Sequence, residues 1–223
     1  MNSDLPFAAL AFDLDGTLVD SVPGIAAALD AVLRADGRPA LGPAATRRLV
    51  GEGAPRLLAQ AAAATGRPWA DPAAALDAWL HAYAHTEPAG TTPYPGSDDL
   101  LRHLHAAGLP LALVTNKPAT PTHAILARLG WSSLFVAVIA GDTLPTRKPD
   151  PAPLRAAVAA LGAPAPLVGD SPIDAATAQA AGLPFIGFRG GYSSVPLETL
   201  RPTAIFDGPA HFHAWVRQRQ PSR

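Results

Sequence analysis

The chain has no cysteine, so neither a disulfide framework nor a thiol nucleophile is open to it. Lysine is almost missing: of 17 basic residues only Lys117 and Lys148 are lysines, and the rest are arginine. In such a chain a surviving lysine invites a chemical explanation. The formal net charge is -1, which gives no electrostatic case for a nucleic-acid partner. No apolar run reaches the roughly 20 residues needed to span a bilayer. The apolar stretch near the N-terminus, Phe7–Phe12, is short, lacks a basic flank and runs straight into Asp13, unlike a secretion signal. These absences predict a cytoplasmic protein with no membrane partner.

What is present suits a globular fold. At 223 residues and 48% hydrophobic composition, the chain can bury one substantial core, or a core and a small accessory domain. Residues 7–13 read as a buried strand. From Pro23 to Ala35 the apolar residues Ile25, Leu29, Val32 and Leu33 recur at helical spacing. Residues 43–64 and 71–85 also read as helices, broken at Gly51-Glu52-Gly53 and at Thr65-Gly66-Arg67-Pro68. Glu87–Gly96 is dense in turn formers and reads as the return path from a helical insert. Beyond it, helices at 97–107, 120–129, 151–161 and 172–181 alternate with apolar strands at 109–115, 135–140, 166–170 and 184–188. A short strand, 204–206, precedes a C-terminal helix. Strands separated by helices imply a parallel sheet covered on both faces.

The chemistry is concentrated at strand ends. Asp13 and Asp15 alternate with Leu14 at the end of the first strand, so their side chains should emerge together while Leu14 turns inward. Two unit charges about 4 Å apart repel by roughly 4 kcal/mol at an effective dielectric of 20, which calls for a cation. Three other strand ends or following loops carry unusual polar residues: Thr115-Asn116, Lys148-Pro149-Asp150-Pro151, and Gly169-Asp170-Ser171 with Asp174. In open α/β sheets ligands bind beyond the carboxyl ends of the strands, so these residues should meet on one rim. Each has a task in phosphoryl transfer. Asp13 can attack phosphorus and Asp15 can act as acid and base. Thr115, Asn116 and Lys148 can bind phosphate. Asp170, with Asp174 nearby, can complete an oxygen-rich site for Mg²⁺.

In this order and spacing the motifs resemble those of haloacid-dehalogenase-superfamily phosphatases over nearly the whole chain. The resemblance implies a Rossmann-like doubly wound parallel-sheet core, residues 1–19 and 92–223, with an all-helical cap inserted at residues 20–91. It implies Mg²⁺ held by Asp13, the backbone carbonyl of Asp15, and Asp170, with Asp174 a ligand or the holder of a metal-bound water. It also implies a small phosphorylated metabolite as substrate, and a monomer or homodimer.

Asp15 narrows the reaction further. The dehalogenase branch of the family lacks the second aspartate, because halide leaves without an acid. The related ion pumps carry threonine there. Phosphonate-cleaving relatives use a cap lysine, and residues 20–90 contain none. The segment Arg47-Arg48-Leu49-Val50-Gly51-Glu52-Gly53, with Gly190-Gly191-Tyr192, is similar to bacterial phosphoglycolate phosphatases. On that likeness Gly51 and Gly53 would admit a substrate carboxylate to cap amides. Arg47, Arg48 or Arg56 would bind it. A phosphatase for a sugar phosphate or pyrophosphate, a phosphosugar mutase, and a non-catalytic phosphate sensor use the same motifs and stay open at this point.

Overall fold

A computed structural model describes residues 5–219 of the chain. The first strand, β1 (Leu10–Phe12), leads through a tight loop into a two-residue strand, β2 (Val19–Asp20). Four helices follow: α1 (Val22–Ala35), α2 (Gly42–Thr46), α3 (Ala54–Ala64) and α4 (Pro72–Gly90). The chain returns through β3 (Thr92–Pro93), which pairs antiparallel with β2, Val19 opposite Pro93. Next come α5 (Ser97–Ala106), β4 (Leu111–Val114), α6 (Ala119–Leu129), β5 (Ala137–Ile139) and α7 (Ala152–Leu161). The last elements are β6 (Leu167–Gly169), α8 (Pro172–Ala181), β7 (Phe185–Phe188), β8 (Ala204–Phe206) and α9 (Pro209–Arg219). The expected 1–19 and 92–223 core extends at both ends beyond the described residues.

Six strands form one sheet in the order β5-β4-β1-β6-β7-β8, parallel throughout. This is the doubly wound α/β architecture that the alternation of strands and helices predicts. Alternation along β1 separates two cores. Leu10 and Phe12 join the leucines of α5, Ile125 of α6 and Phe212 of α9 on one face. Ala9 and Ala11 join Leu154 and Ala157 of α7 and Ala175 and Ala178 of α8 on the other. The small alanine side chains let α7 lie close over the strand. A third core belongs to the helices between β2 and β3. It packs Leu29 and Leu33 of α1 with Leu57 and Leu58 of α3 and Trp79 and Tyr83 of α4. Each such buried leucine is worth about 1.5–3 kcal/mol over leaving it exposed.

Proline punctuates the helices where a missing N–H costs least, in the first turns of α1, α2, α3, α4, α7 and α8. One departure from the sequence reading concerns Glu87–Gly90, which the turn formers predict to be a loop. The structure continues α4 through Pro88 to Gly90. Tertiary contacts outweigh the local signal there. Glu87 is buried and accepts a 2.7 Å bond from Arg128, and Thr86 Oγ1 donates to Gly24 O of α1 at 2.8 Å. Gly90 lies so close to Gly24 that a Cβ on it would fall 2.3 Å from the Gly24 Cα. Among the described residues, no helix is long and apolar enough to cross a membrane.

Candidate active site

β4, β1 and β6 are neighbours in the sheet, so the residues that follow them share one rim. Asp13 extends β1, its N–H donating to Val168 O at 2.9 Å. Thr115 extends β4 in the same way, through Ile139 O. Asp170 follows β6 directly. β1 has β4 and β5 to one side and β6, β7 and β8 to the other, so this is also where the strand order reverses. After Asp13 the chain turns sharply. Leu14 is fully buried, Leu18 and Val19 donate to its carbonyl, and Asp15 bridges to Val19.

Lys148, from the loop after β5, lies among the carboxylates. Its Nζ is 2.8 Å from Asp13 Oδ1 and 2.6 Å from Asp174 Oδ1. Asp174 Oδ2 accepts from both the N–H and the hydroxyl of Ser171, closing a capping box at the start of α8. Asp170 accepts from Thr17 Oγ1 at 2.7 Å and from the Tyr192 N–H at 2.6 Å. Two glycines press on it: a Cβ on Gly16 would fall 2.5 Å from Asp170 Oδ2, and one on Gly191 would fall 2.2 Å from it. Oxygens of Asp13, Asp170 and Asp174 lie within 4.8 Å of one another, all buried.

The electrostatics follow from that burial. Desolvation raises the Asp13 carboxyl to about 7; Lys148 opposes the rise, and Asp174 adds to it. Desolvation also drives Asp170 well above the ordinary carboxylate value, with the Asp174 and Asp13 charges adding and the Tyr192 N–H and Thr17 hydroxyl opposing. For Lys148, burial works against the ammonium, but the charges of Asp13 and Asp174 and the hydrogen bonds to both outweigh it and raise its pKa. Three clustered carboxylates against one ammonium leave two negative charges in excess, and Asp170 is held by neutral donors. That donor set, all hard oxygen and doubly negative, fits a divalent cation such as Mg²⁺.

Asp15 is held apart from this cluster. Its Oδ1 accepts from Ser21 Oγ at 2.6 Å and from Lys117 Nζ at 3.0 Å, and its Oδ2 accepts from Lys117 at 3.1 Å. Lys117 is buried and also donates to Tyr83 OH of α4 at 2.8 Å. The sequence marks Lys117 as a chemically suggestive lysine but does not place it in the site; its partners lie 102 and 34 residues away.

A cavity of about 40 Å³ opens between the rim and the helices above it. The core wall is Asp13, Asp15, Thr115, Asn116, Lys117 and Pro118. The opposite wall is Ile25, Val50, Gly51, Gly53, Ala54, Leu57 and Trp79. Thus Gly51 and Gly53 do line the site. Both have positive φ, +129° and +86°, and Gly53 caps the start of α3 where a Cβ would fall 3.1 Å from Asn116 O. The Asn116 amide donates to Gly51 O at 3.1 Å and to Lys148 O at 2.9 Å.

The arginines of the helices between β2 and β3 lie elsewhere. Arg47 donates to Gly191 O at 2.6 Å and stacks over the Tyr192 ring at 4.8 Å. Arg56 pairs with Glu52, and Arg67 with Asp36. Arg48 is exposed.

Comparison with known proteins agrees with this geometry. The model of the haloacid dehalogenase-like hydrolases matches residues 7–182. The chain belongs to this family. It is 46% identical over 222 residues to a phosphoglycolate phosphatase of Rhodospirillum rubrum, covering 96% of this chain and 92% of that one. A phosphoglycolate phosphatase of Rhodobacter capsulatus is 44% identical over 200 residues, covering 89% and 91%. Among solved structures, a predicted phosphoglycolate phosphatase from Haemophilus somnus superimposes with TM-score 0.83 at 28% identity, covering 94% of this chain and 98% of that one. CbbY from Rhodobacter sphaeroides in complex with phosphate gives 0.81 at 25% identity, covering 92% and 96%. As a haloacid dehalogenase-like hydrolase with these relatives, the chain is an enzyme of the phosphatase class.

Proposed function

We propose that the protein hydrolyses 2-phosphoglycolate to glycolate and phosphate through a phosphorylated Asp13, with residues 20–91 as the cap over the site. The observation that carries the mechanism is the separation of two aspartates into different environments. Asp13 shares Lys148 with Asp174 and adjoins Asp170, whereas Asp15 faces the same cavity from a lysine–serine clamp. An Asp13 oxygen attacks phosphorus as the ester P–O bond breaks. The electron pair leaves on the alkoxide oxygen, which takes a proton from Asp15. Water then attacks phosphorus and gives a proton to Asp15, and the Asp13–phosphorus bond breaks to restore the carboxylate. The net change is ester plus water to alcohol plus phosphate.

Lys148 opposes the burial-driven rise of the Asp13 pKa and offers positive charge to the phosphoryl group. Asn116 spends its amide hydrogens on Gly51 O and Lys148 O. Side-chain donation to phosphate therefore falls to the Thr115 hydroxyl, and Asn116 serves by holding Lys148 in place. Asp13, Asp170 and the backbone carbonyl of Asp15 would hold Mg²⁺. Bound there, the ion supplies positive charge that offsets the crowded carboxylates and the phosphoryl oxygens. Asp174 spends both oxygens on Lys148 and Ser171, which suits a supporting role better than a ligand's.

The cavity supports a small substrate. Its cap wall has no basic side chain to take a second phosphoryl group, because Arg47, Arg56 and Arg67 turn to other partners and Arg48 is exposed. This disfavours a phosphosugar mutase or a bisphosphate phosphatase. A carboxylate can instead meet backbone amides at the start of α3, beside Gly53, and the Trp79 indole N–H, which is buried without a protein partner. The deciding experiment ranks phosphorylated metabolites by kcat/KM with Mg²⁺ present. We expect 2-phosphoglycolate first, and a low rank would overturn the substrate while leaving the chemistry. Asp13→Asn should abolish turnover of every substrate in the panel; undiminished hydrolysis would overturn the mechanism.

A further inference from the structure

Lys117 is the buried group that the reaction scheme above leaves without a task. A buried ammonium is costly unless it is paired, and here both side-chain partners, Asp15 and Tyr83, bear on the site. Nζ reaches both oxygens of Asp15, at 3.0 and 3.1 Å, and the hydroxyl of Tyr83, at 2.8 Å. The same Nζ sits 4.6 Å from the centre of the Tyr83 ring. Tyr83 belongs to α4, stacks on Trp79 of the cavity wall with ring centres 4.9 Å apart, and shares a 3.4 Å contact with Thr91 Oγ1 just before β3. Asp15 is also bound by Ser21, between β2 and α1. One carboxylate on the rim is thus held by Ser21 of the first connection to the helical insert and, through Lys117, by Tyr83 of the insert itself, which in turn touches Thr91 of the second connection.

We propose that Lys117 is a positioning residue that makes the placement of Asp15 depend on the seating of the cap. With Tyr83 in place, Lys117 is fixed between ring, hydroxyl and carboxylate, and Asp15 is fixed with it, facing the cavity. Without the Tyr83 contact, the ammonium has only Asp15 to hold it and the carboxylate loses its fixed orientation. Protonation of the leaving alkoxide needs the acid within hydrogen-bond reach, so chemistry would proceed only under a seated cap. This inference rests on the proposed role of Asp15 as the acid.

The test compares two leaving groups. An aryl phosphate with an acidic phenol leaves without protonation, while an alkyl phosphate needs the acid. The ratio of kcat/KM for the best alkyl substrate of the metabolite panel to that for p-nitrophenyl phosphate isolates proton donation from binding and folding. Lys117→Met should lower that ratio by about 10-fold or more, within the range that one acid supplies. Tyr83→Phe keeps the ring stack and removes only the hydroxyl, and should lower the ratio by about 3-fold or more. Equal losses on both substrates in these variants, or no loss in either, would overturn the proposal. Should Lys117→Met fail to fold, Tyr83→Phe decides alone. Asp15→Asn separates the two ideas: if it leaves the ratio unchanged, the acid role itself falls, whatever Lys117 does.

Discussion

Asp170 Oδ2 accepts a 2.6 Å hydrogen bond from the backbone N–H of Tyr192, so the loop after β7 sets the orientation of a carboxylate at the end of β6. Gly191 makes that approach possible. A Cβ there would lie 2.2 Å from both Asp170 Cβ and Oδ2, with no flexible atom able to yield. Gly191→Ala should therefore displace Asp170 or the loop. We expect the Mg²⁺ concentration for half-maximal activity to rise by about 10-fold or more, as when a metal ligand loses its support. An unchanged Mg²⁺ titration would show that Asp170 does not hold the ion.

The raised pKa of Asp13 gives metal-depleted protein a definite pH dependence. In the folded chain Asp13 keeps its proton to about pH 7, whereas the unfolded value is near 3.8. Between those values the folded state binds more protons. The contribution to stability is therefore present at low pH and lost as pH rises through about 7. With chelator present, this term should lower Tm between pH 5.5 and 8, and Asp13→Asn should flatten the decline. Parallel Tm profiles for the two proteins would contradict the cause assigned here.

Lys148 is shared by Asp13 and Asp174, so its removal leaves two buried carboxyl groups without their ammonium partner. Breaking a buried pair from one side costs about 3–5 kcal/mol. Lys148→Met should show a loss of that order in urea unfolding, together with lost activity. Adding Asp174→Asn removes one of those carboxyl groups. The double variant should regain a good part of the stability and none of the activity. Strict additivity of the two losses would mean that the three groups do not act as one unit.

The rim was legible in the sequence because a parallel sheet puts residues that follow its strands at one edge. Asp13, Thr115 and Asp170 each come directly after an apolar run, and strand order alone makes them neighbours. The burial of Leu14 follows from the same alternation. Pairings across the insert were not legible. β2 and β3 are two residues each, and β3 contains Pro93, so neither has a pattern of its own. The last turn of α4 depends on Arg128, 41 residues beyond Glu87. Arg47 finds its carbonyl partner in Gly191, 144 residues on, and no local signal marks that destination. Lys117 had one sequence clue, its rarity, but its role is set by Asp15 and Tyr83 together.

Arg47 and Gly53 then make opposite predictions for the proposed cap. Arg47 contacts the Gly190–Tyr192 loop and does not line the cavity, so Arg47→Ala should leave the ranking of substrates unchanged, with less than about a 10-fold loss in kcat/KM, the order expected of one partly exposed polar contact. Gly53 does line it, at φ +86°, with the Asn116 carbonyl 3.1 Å from where a Cβ would sit. Gly53→Ala strains that backbone and pushes the start of α3 off the rim. If α3 amides receive the substrate's second anion, KM for 2-phosphoglycolate should rise several-fold more than KM for an aryl phosphate lacking a carboxylate. A re-ordered substrate panel in Arg47→Ala would return the arginine to the substrate. Equal KM changes on the two esters in Gly53→Ala would take the carboxylate away from α3.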